Sequence, residues 1–219
     1  MSKKLLTIVG MGPGNSHATA RRFGKEGYRI AMIGRKTDRH QTYMKLLADD
    51  GIESSSFEGD AGNEISLTMA FDRIEDNLGP TDILLYNVFT YRDCPPTVLK
   101  YQNMLEDFRS NVGGALVSVQ RVLPKMLENN TGTILFTGGG LAFEPVPQYS
   151  SLALGKAALR NLCFSLYSEL KPKNIHVATV TICGFIKPNT RFSPDVVADA
   201  FWKLHNQKQE EFEREITIE

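Results

Sequence analysis

LLTIVGMGPGNSHATARRF, residues 5–23, carries the reading of the fold. An apolar run ends in a turn built on Gly10, Gly12 and Gly14, after which the pattern becomes helical. Strand, tight turn and helix follow from that order. Glycines let the backbone take positive φ and let a ligand approach closely, while the unpaired N–H groups and dipole at a helix start attract an anion. The turn therefore reads as a phosphate cradle made by Gly10, Gly12, Gly14, Asn15 and Ser16, with Ser16 where a third phosphate-loop glycine would close the pattern. The plainer alternative is an ordinary strand-to-helix turn. The next apolar run, residues 28–33, arrives one helix later and completes a strand–helix–strand unit of the ~30 residues expected of a dinucleotide-binding half.

The bulk properties narrow the function classes. With 219 residues and no break in composition, one domain spanning residues 1–219 is expected. Lysine plus arginine total 25 and aspartate plus glutamate 25, so nothing favours nucleic acid or an anionic membrane as partner, and a small-molecule substrate is expected instead. Cys94, Cys163 and Cys183 are odd in number and widely spaced, which argues against a disulfide framework or a metal site and fits reduced cytoplasmic thiols. Lys3 and Lys4 precede an apolar run that stops at Gly10, and no apolar segment approaches the ~18 residues of a membrane span. A soluble cytoplasmic protein is the expectation.

Arg35 and Lys36 follow the second strand, beside the adenosine ribose of a dinucleotide held in the cradle. An acidic residue there would bond the 2′-hydroxyl of NAD, whereas an arginine pairs with a 2′-phosphate, so NADP is favoured over NAD. A solvated basic turn is the alternative, because Asp38, Arg39 and His40 follow at once. Thr37 or Asp38 caps a helix to about residue 50, residues 52–57 form an edge strand, and Asp60 lies on a loop bordering the adenine. A helix over 63–77 stops at Gly79-Pro80, and DILLYN, residues 82–87, is a buried parallel strand. Helices over 101–128 and 149–170, a strand over 175–182, a helix entered through Ser193-Pro194-Asp195 and an edge strand at 214–219 complete the chain.

The glycine turn, the Asp-x-Leu-x-x-Asn strand, Asn111 in SNVGGAL, the strand GTILFTGG and the helix SLALGKAALR resemble, in order and spacing, the short-chain dehydrogenase/reductase family. The resemblance implies an α/β, doubly wound parallel sheet of Rossmann type in three α/β/α layers, binding NAD(P), with an Asn, a Ser, a Tyr and a Lys at the active site. It places the Asn at Asn111 and the Lys at Lys156, keeps Asn87 from the motif after the fourth strand, and sets Gly184 beside the nicotinamide. Aligned through Lys156, the Tyr position falls on Leu152 and the Ser position on Gly139, neither of which carries an ionisable or hydrogen-bonding side chain. Tyr149, one turn before Leu152 if the helix has begun, is the candidate replacement, against the alternative of a half-buried loop aromatic beside Pro147. Lys156 is expected to contact the cofactor ribose. The two long helices resemble those through which family members pair as dimers or tetramers, and the segment 185–192 is shorter than the family's substrate lid.

Two functions stay open on this reading. One is an NADP(H)-binding short-chain oxidoreductase with an altered active site, acting on a carbonyl or alcohol. The other is a catalytically inactive NADP(H)-binding sensor or assembly protein on the same fold.

Overall fold

The strand that ends in the glycine turn lies at the centre of the sheet. The computed structural model describes residues 3–219. β1 (Leu5–Val9) runs into α1 (Asn15–Gly24), β2 (Arg29–Gly34), α2 (Thr37–Asp49), β3 (Ser54–Glu58), α3 (Glu64–Leu78) and β4 (Ile83–Tyr86). Then come α4 (Tyr101–Phe108), α5 (Gly114–Glu128), β5 (Gly132–Thr137), α6 (Ser150–Leu170), β6 (Ile175–Ile182), α7 (Pro194–His205) and β7 (Glu215–Ile218). The strand order is β3-β2-β1-β4-β5-β6-β7, and every pairing is parallel. The order reverses between β1 and β4, and open α/β sheets bind ligands in the crevice at the carboxyl ends of the strands flanking such a reversal.

Alternation along the strands builds two cores. In β1, Leu5 and Val9 face a cluster with Leu67 and Phe71 of α3, Val119 of α5 and Leu159 of α6. Leu6 and Ile8 face the opposite cluster with Phe23 of α1, Leu47 of α2 and Phe201 and Leu204 of α7. Each such side chain taken wholly from water contributes about 1.5–3 kcal/mol, so the sheet buried on both faces is the main source of stability. The result is one doubly wound, three-layer α/β/α domain.

Several boundaries differ from the sequence reading by one or two residues, and three differences bear on the site. The helix expected over 101–128 is interrupted by a π-helical turn, Arg109–Gly113, which inserts a residue and brings Asn111 inward. Lys36 occupies the N-cap of α2, so Thr37 is already helical and no side chain caps that end. α6 begins at Ser150, leaving Tyr149 at the N-cap with φ −110° and ψ 32°. By contrast Asn63 caps α3 as a side-chain acceptor from the Ser66 N–H at 2.9 Å.

The end of the domain away from the crevice contains a pH-sensitive element. His205 Nε2 lies 2.8 Å from the Tyr28 hydroxyl and its Nδ1 2.9 Å from Thr133 Oγ1, and burial pulls its pKa down to about 4. Burial also lowers His17, His40 and His176. A histidine whose folded pKa lies below its unfolded value resists protonation only in the folded state, so stability is full above about pH 6.5 and is lost as pH falls toward 4. Chemical denaturation followed from pH 7.5 to 4.5 is expected to show a decline of up to about 3 kcal/mol from His205. A His205→Gln variant should flatten that decline; an unchanged slope would remove His205 as its source.

Candidate active site

Gly10 ends β1 with φ +89° and donates its N–H to the Ile33 carbonyl at 3.0 Å. Its own carbonyl accepts from Asn87 Nδ2 at 3.0 Å. A Cβ here would fall 2.9 Å from Val88 Cγ2 and 3.0 Å from the Asn87 carbonyl carbon, so both conformation and space demand glycine. Gly12 differs, because a Cβ there meets nothing within 4 Å, and at Gly14 it would meet only Ile186 Cγ2 at 3.8 Å. Ser16 is buried, and its Oγ accepts from the Gly12 N–H at 2.8 Å and lies 3.2 Å from the Gly12 carbonyl. It clamps the turn from within. Asn15 opens α1, and its buried Oδ1 has no hydrogen-bond partner among the described residues.

From this turn a cavity of about 420 Å³ runs along the carboxyl edge of the sheet to the exit of β2. It is lined by Gly10, Gly12, Arg35, Lys36, Asp60 and Asn87, all singled out from the sequence, and also by Arg39, His40, Phe89 and Thr90, which were not. Arg35, Lys36 and Arg39 are exposed, and among the described residues none forms an ion pair. His40 is buried beneath them with Nδ1 2.6 Å from Ser56 Oγ, and burial holds it below the ordinary imidazole value. It therefore adds a polar group rather than a charge. Arg39 and His40 follow Lys36 by about one helical turn, the only sequence signal that could have drawn them in. Asp60 accepts from the Gly62 N–H at 2.9 Å, which folds its loop over the β3 exit.

Asn87 connects this cavity to the inner end of the crevice. Its Oδ1 accepts from Thr137 Oγ1 at 2.8 Å, and the Thr137 carbonyl accepts from Lys156 Nζ at 2.6 Å. Burial alone pulls the Lys156 ammonium down to about 8. Asn111 reaches the loop after β4, accepting from the Thr90 N–H at 2.8 Å and donating to the Thr90 carbonyl at 2.9 Å. α6 passes close enough that a Cβ at Gly155 would lie 2.8 Å from Asn111 Cβ. The amide is thus a brace between the π-helical turn and the cavity wall.

A profile of the short chain dehydrogenase family matches residues 4–198. The chain belongs to that family. Among curated relatives, the glucose 1-dehydrogenase of Gluconobacter oxydans is 29% identical over 192 residues, 85% of this chain and 70% of that protein. An uncharacterized oxidoreductase of Staphylococcus aureus is 22% identical and spans 100% of this chain and 97% of its own. Among solved structures, a metagenomic short-chain oxidoreductase in complex with NADP superposes with a TM-score of 0.91 at 20% identity, covering 99% of this chain and 96% of that one.

Measured against what the short-chain dehydrogenase resemblance implies, the remaining positions divide. Gly139 lies against the lysine, where an added Cβ would rest 3.6 Å from Lys156 Cε in ordinary contact. Tyr149 precedes α6, roughly two turns or about 10 Å along the axis from Lys156. Its ring meets Tyr91 edge-on at 5.4 Å between centroids, and Tyr91 stacks with Phe89 at 6.4 Å. An aromatic wall at the mouth results. Gly184 is covered by Phe192, whose ring would lie 2.4 Å from an added Cβ, and Ile186 of the same segment leans toward Gly14. The short segment therefore folds back over the crevice from the side of β6.

Proposed function

We propose that this chain is an NADP(H)-dependent oxidoreductase acting on a carbonyl or alcohol through an active site in which Gly139 and Leu152 stand at the family's Ser and Tyr positions. One observation supports it above the others: the glycine turn, the cations Arg35, Lys36 and Arg39 and the Asn87–Thr137–Lys156 chain lie along a single sheet edge. The cavity fits the group. The open space above Gly12 would accept a pyrophosphate close to the backbone, beside the α1 N-terminus that Asn15 opens and Ser16 ties to Gly12, and Arg35, Lys36 and Arg39 would supply charge for a 2′-phosphate. The NADP held by the metagenomic relative agrees with that assignment.

Bound there, the cofactor would supply or accept the hydride. Asp60 would border the adenine, Asn87 would hold the turn and the β5 exit in register, and Lys156 would contact the nicotinamide ribose. Gly184 would flank the nicotinamide on the side not taken by Phe192. Asn111 acts as a positioning residue through Thr90. Titration of the purified protein with NADPH and NADH, followed by nicotinamide fluorescence, is expected to give the tighter binding with NADPH; binding of neither removes this reading.

A second reading, an inactive NADP(H)-binding sensor or assembly protein, is favoured by Leu152 and Gly139 at the family's Tyr and Ser positions and by the packing of Tyr149, at the N-cap of α6, edge-on against Tyr91. The double variant Gly139→Ser with Leu152→Tyr separates the two. Reductase activity appearing where the parent has none supports the sensor, while loss of an existing activity supports the altered active site. A cytoplasmic location is part of the proposal; no described helix is long and apolar enough to cross a membrane. A homodimer or tetramer is proposed as well, on the exposed apolar residues Phe108, Leu116 and Leu154 of the long helices, and light scattering of the purified protein tests it.

A further inference from the structure

We infer that Lys156 is itself the proton donor for carbonyl reduction, its ammonium passing a proton to the substrate oxygen as the carbonyl carbon is reduced. The inference rests on the oxidoreductase reading above and deepens it.

The geometry around the amine carries the argument. An ammonium has three N–H bonds, and Lys156 Nζ uses one on the Thr137 carbonyl at 2.6 Å, with no other partner among the described residues. Donors are therefore left over at the carboxyl end of β5. Gly139 puts no side chain along the lysine stem, and the position one turn earlier on α6 is Leu152, which has no proton to give. Other ionisable groups on the neighbouring elements have their own contacts. Tyr149 packs on Tyr91, and Arg160, one turn beyond Lys156, is held in a two-pronged pair with Glu215 at 2.9 and 2.7 Å. Asp107 of α4 faces Arg92 at 3.4 Å, and burial raises the Cys183 thiol that lies near Gly140.

A group that is to act as acid near neutral pH works best with a pKa close to that pH. The half-buried Lys156, drawn to about 8 by desolvation with no charged neighbour contributing, meets that requirement without a tyrosine. In reduction, the carbonyl carbon receives a hydride from the reduced nicotinamide, and the C=O π pair moves to oxygen. That oxygen takes the proton as the Nζ–H bond breaks. The products are an alcohol, the oxidised nicotinamide and a neutral amine, which water reprotonates. One positive charge leaves the lysine as another forms on the nicotinamide, so the total charge of this low-dielectric site is conserved through the step.

The test pairs titration of the amine with kinetics. Acetylation of Lys156 in the protein without cofactor, read by mass spectrometry of its peptide, should reach half its maximal rate near pH 8. With NADPH and a panel of aldehydes, ketones and quinones, kcat/KM should be level below that pH and fall about tenfold per unit above it. Alcohol oxidation should rise to a plateau over the same interval. Lys156→Arg keeps the charge but releases no proton in this range, and should lose at least about 100-fold in kcat while binding NADPH within about tenfold of the parent. Acetylation only above pH 10, or an arginine variant with the parent's rate and profile, overturns the inference. So does a parent that binds NADPH and reduces no member of the panel. A protein that binds no NADPH overturns the oxidoreductase reading beneath it.

Discussion

Replacing Arg35, Lys36 and Arg39 together by alanine is expected to weaken NADPH binding by about 100-fold and to leave NADH binding within about twofold. The three side chains line the β2 end of the cavity and form no ion pair among the described residues. An individual exposed ion pair contributes only about 0.2–1 kcal/mol, but three cations converging on one doubly charged phosphate, with hydrogen bonds to its oxygens, together contribute about 2–3 kcal/mol. That range corresponds to roughly 30- to 200-fold in the dissociation constant. NADH has a hydroxyl in place of the phosphate and loses little. Because the side chains are exposed, the NADPH advantage should shrink as salt is raised. Equal losses for the two cofactors would mean that these cations serve the pyrophosphate or the fold, and the 2′-phosphate assignment would fall.

Gly10→Ala is expected to lower folding stability by about 3 kcal/mol and to abolish measurable NADPH binding. An L-residue with φ near +89° costs about 1–2 kcal/mol in backbone strain alone. Its Cβ would also press on Val88 Cγ2 and on the Asn87 carbonyl, and the backbone at Asn87 cannot yield easily, since its N–H donates to the Val9 carbonyl at 2.9 Å. Overpacking of that kind adds a further ~1–3 kcal/mol. Gly12→Ala is the matched control, because its methyl points into open space within the cavity. Denaturation should show Gly12→Ala folding like the parent while its NADPH affinity falls at least about tenfold, since the methyl occupies space the pyrophosphate needs. Should Gly10→Ala keep both the parent's stability and its affinity, the tight turn would not be the cradle described here.

The cationic cluster and the turn also show where sequence and structure part company. Arg35 and Lys36 could be picked out because they follow a recognisable strand end, whereas Arg39 and His40 looked like the continuation of a solvated turn. Only the path of α2 brings them to the cavity. Ser16 reads as a cradle residue standing where a third glycine would close the pattern, and the structure shows it as a buried clamp on Gly12, a contact set by the turn's three-dimensional path. Tyr149 reads as a candidate acid if the helix has begun, and the structure sets it at the N-cap of α6 with its ring against Tyr91, a contact that no local pattern announces.

Sequence alone determined the class of fold, the order of strands and helices, the glycine turn at the end of β1 and the family. These are legible because apolar alternation, helical periodicity and turn chemistry are local, repeating every two to four residues whatever the rest of the chain does. Tertiary structure alone decided what each site residue touches: Asn87 bonded to Gly10 and Thr137, Asn111 to Thr90, Lys156 to Thr137, and Phe192 over Gly184. Those partners lie on different elements and are brought together only when the sheet sets its register and the helices pack on it. A buried polar group takes whichever partner that packing leaves within about 3 Å, and no local pattern encodes that choice.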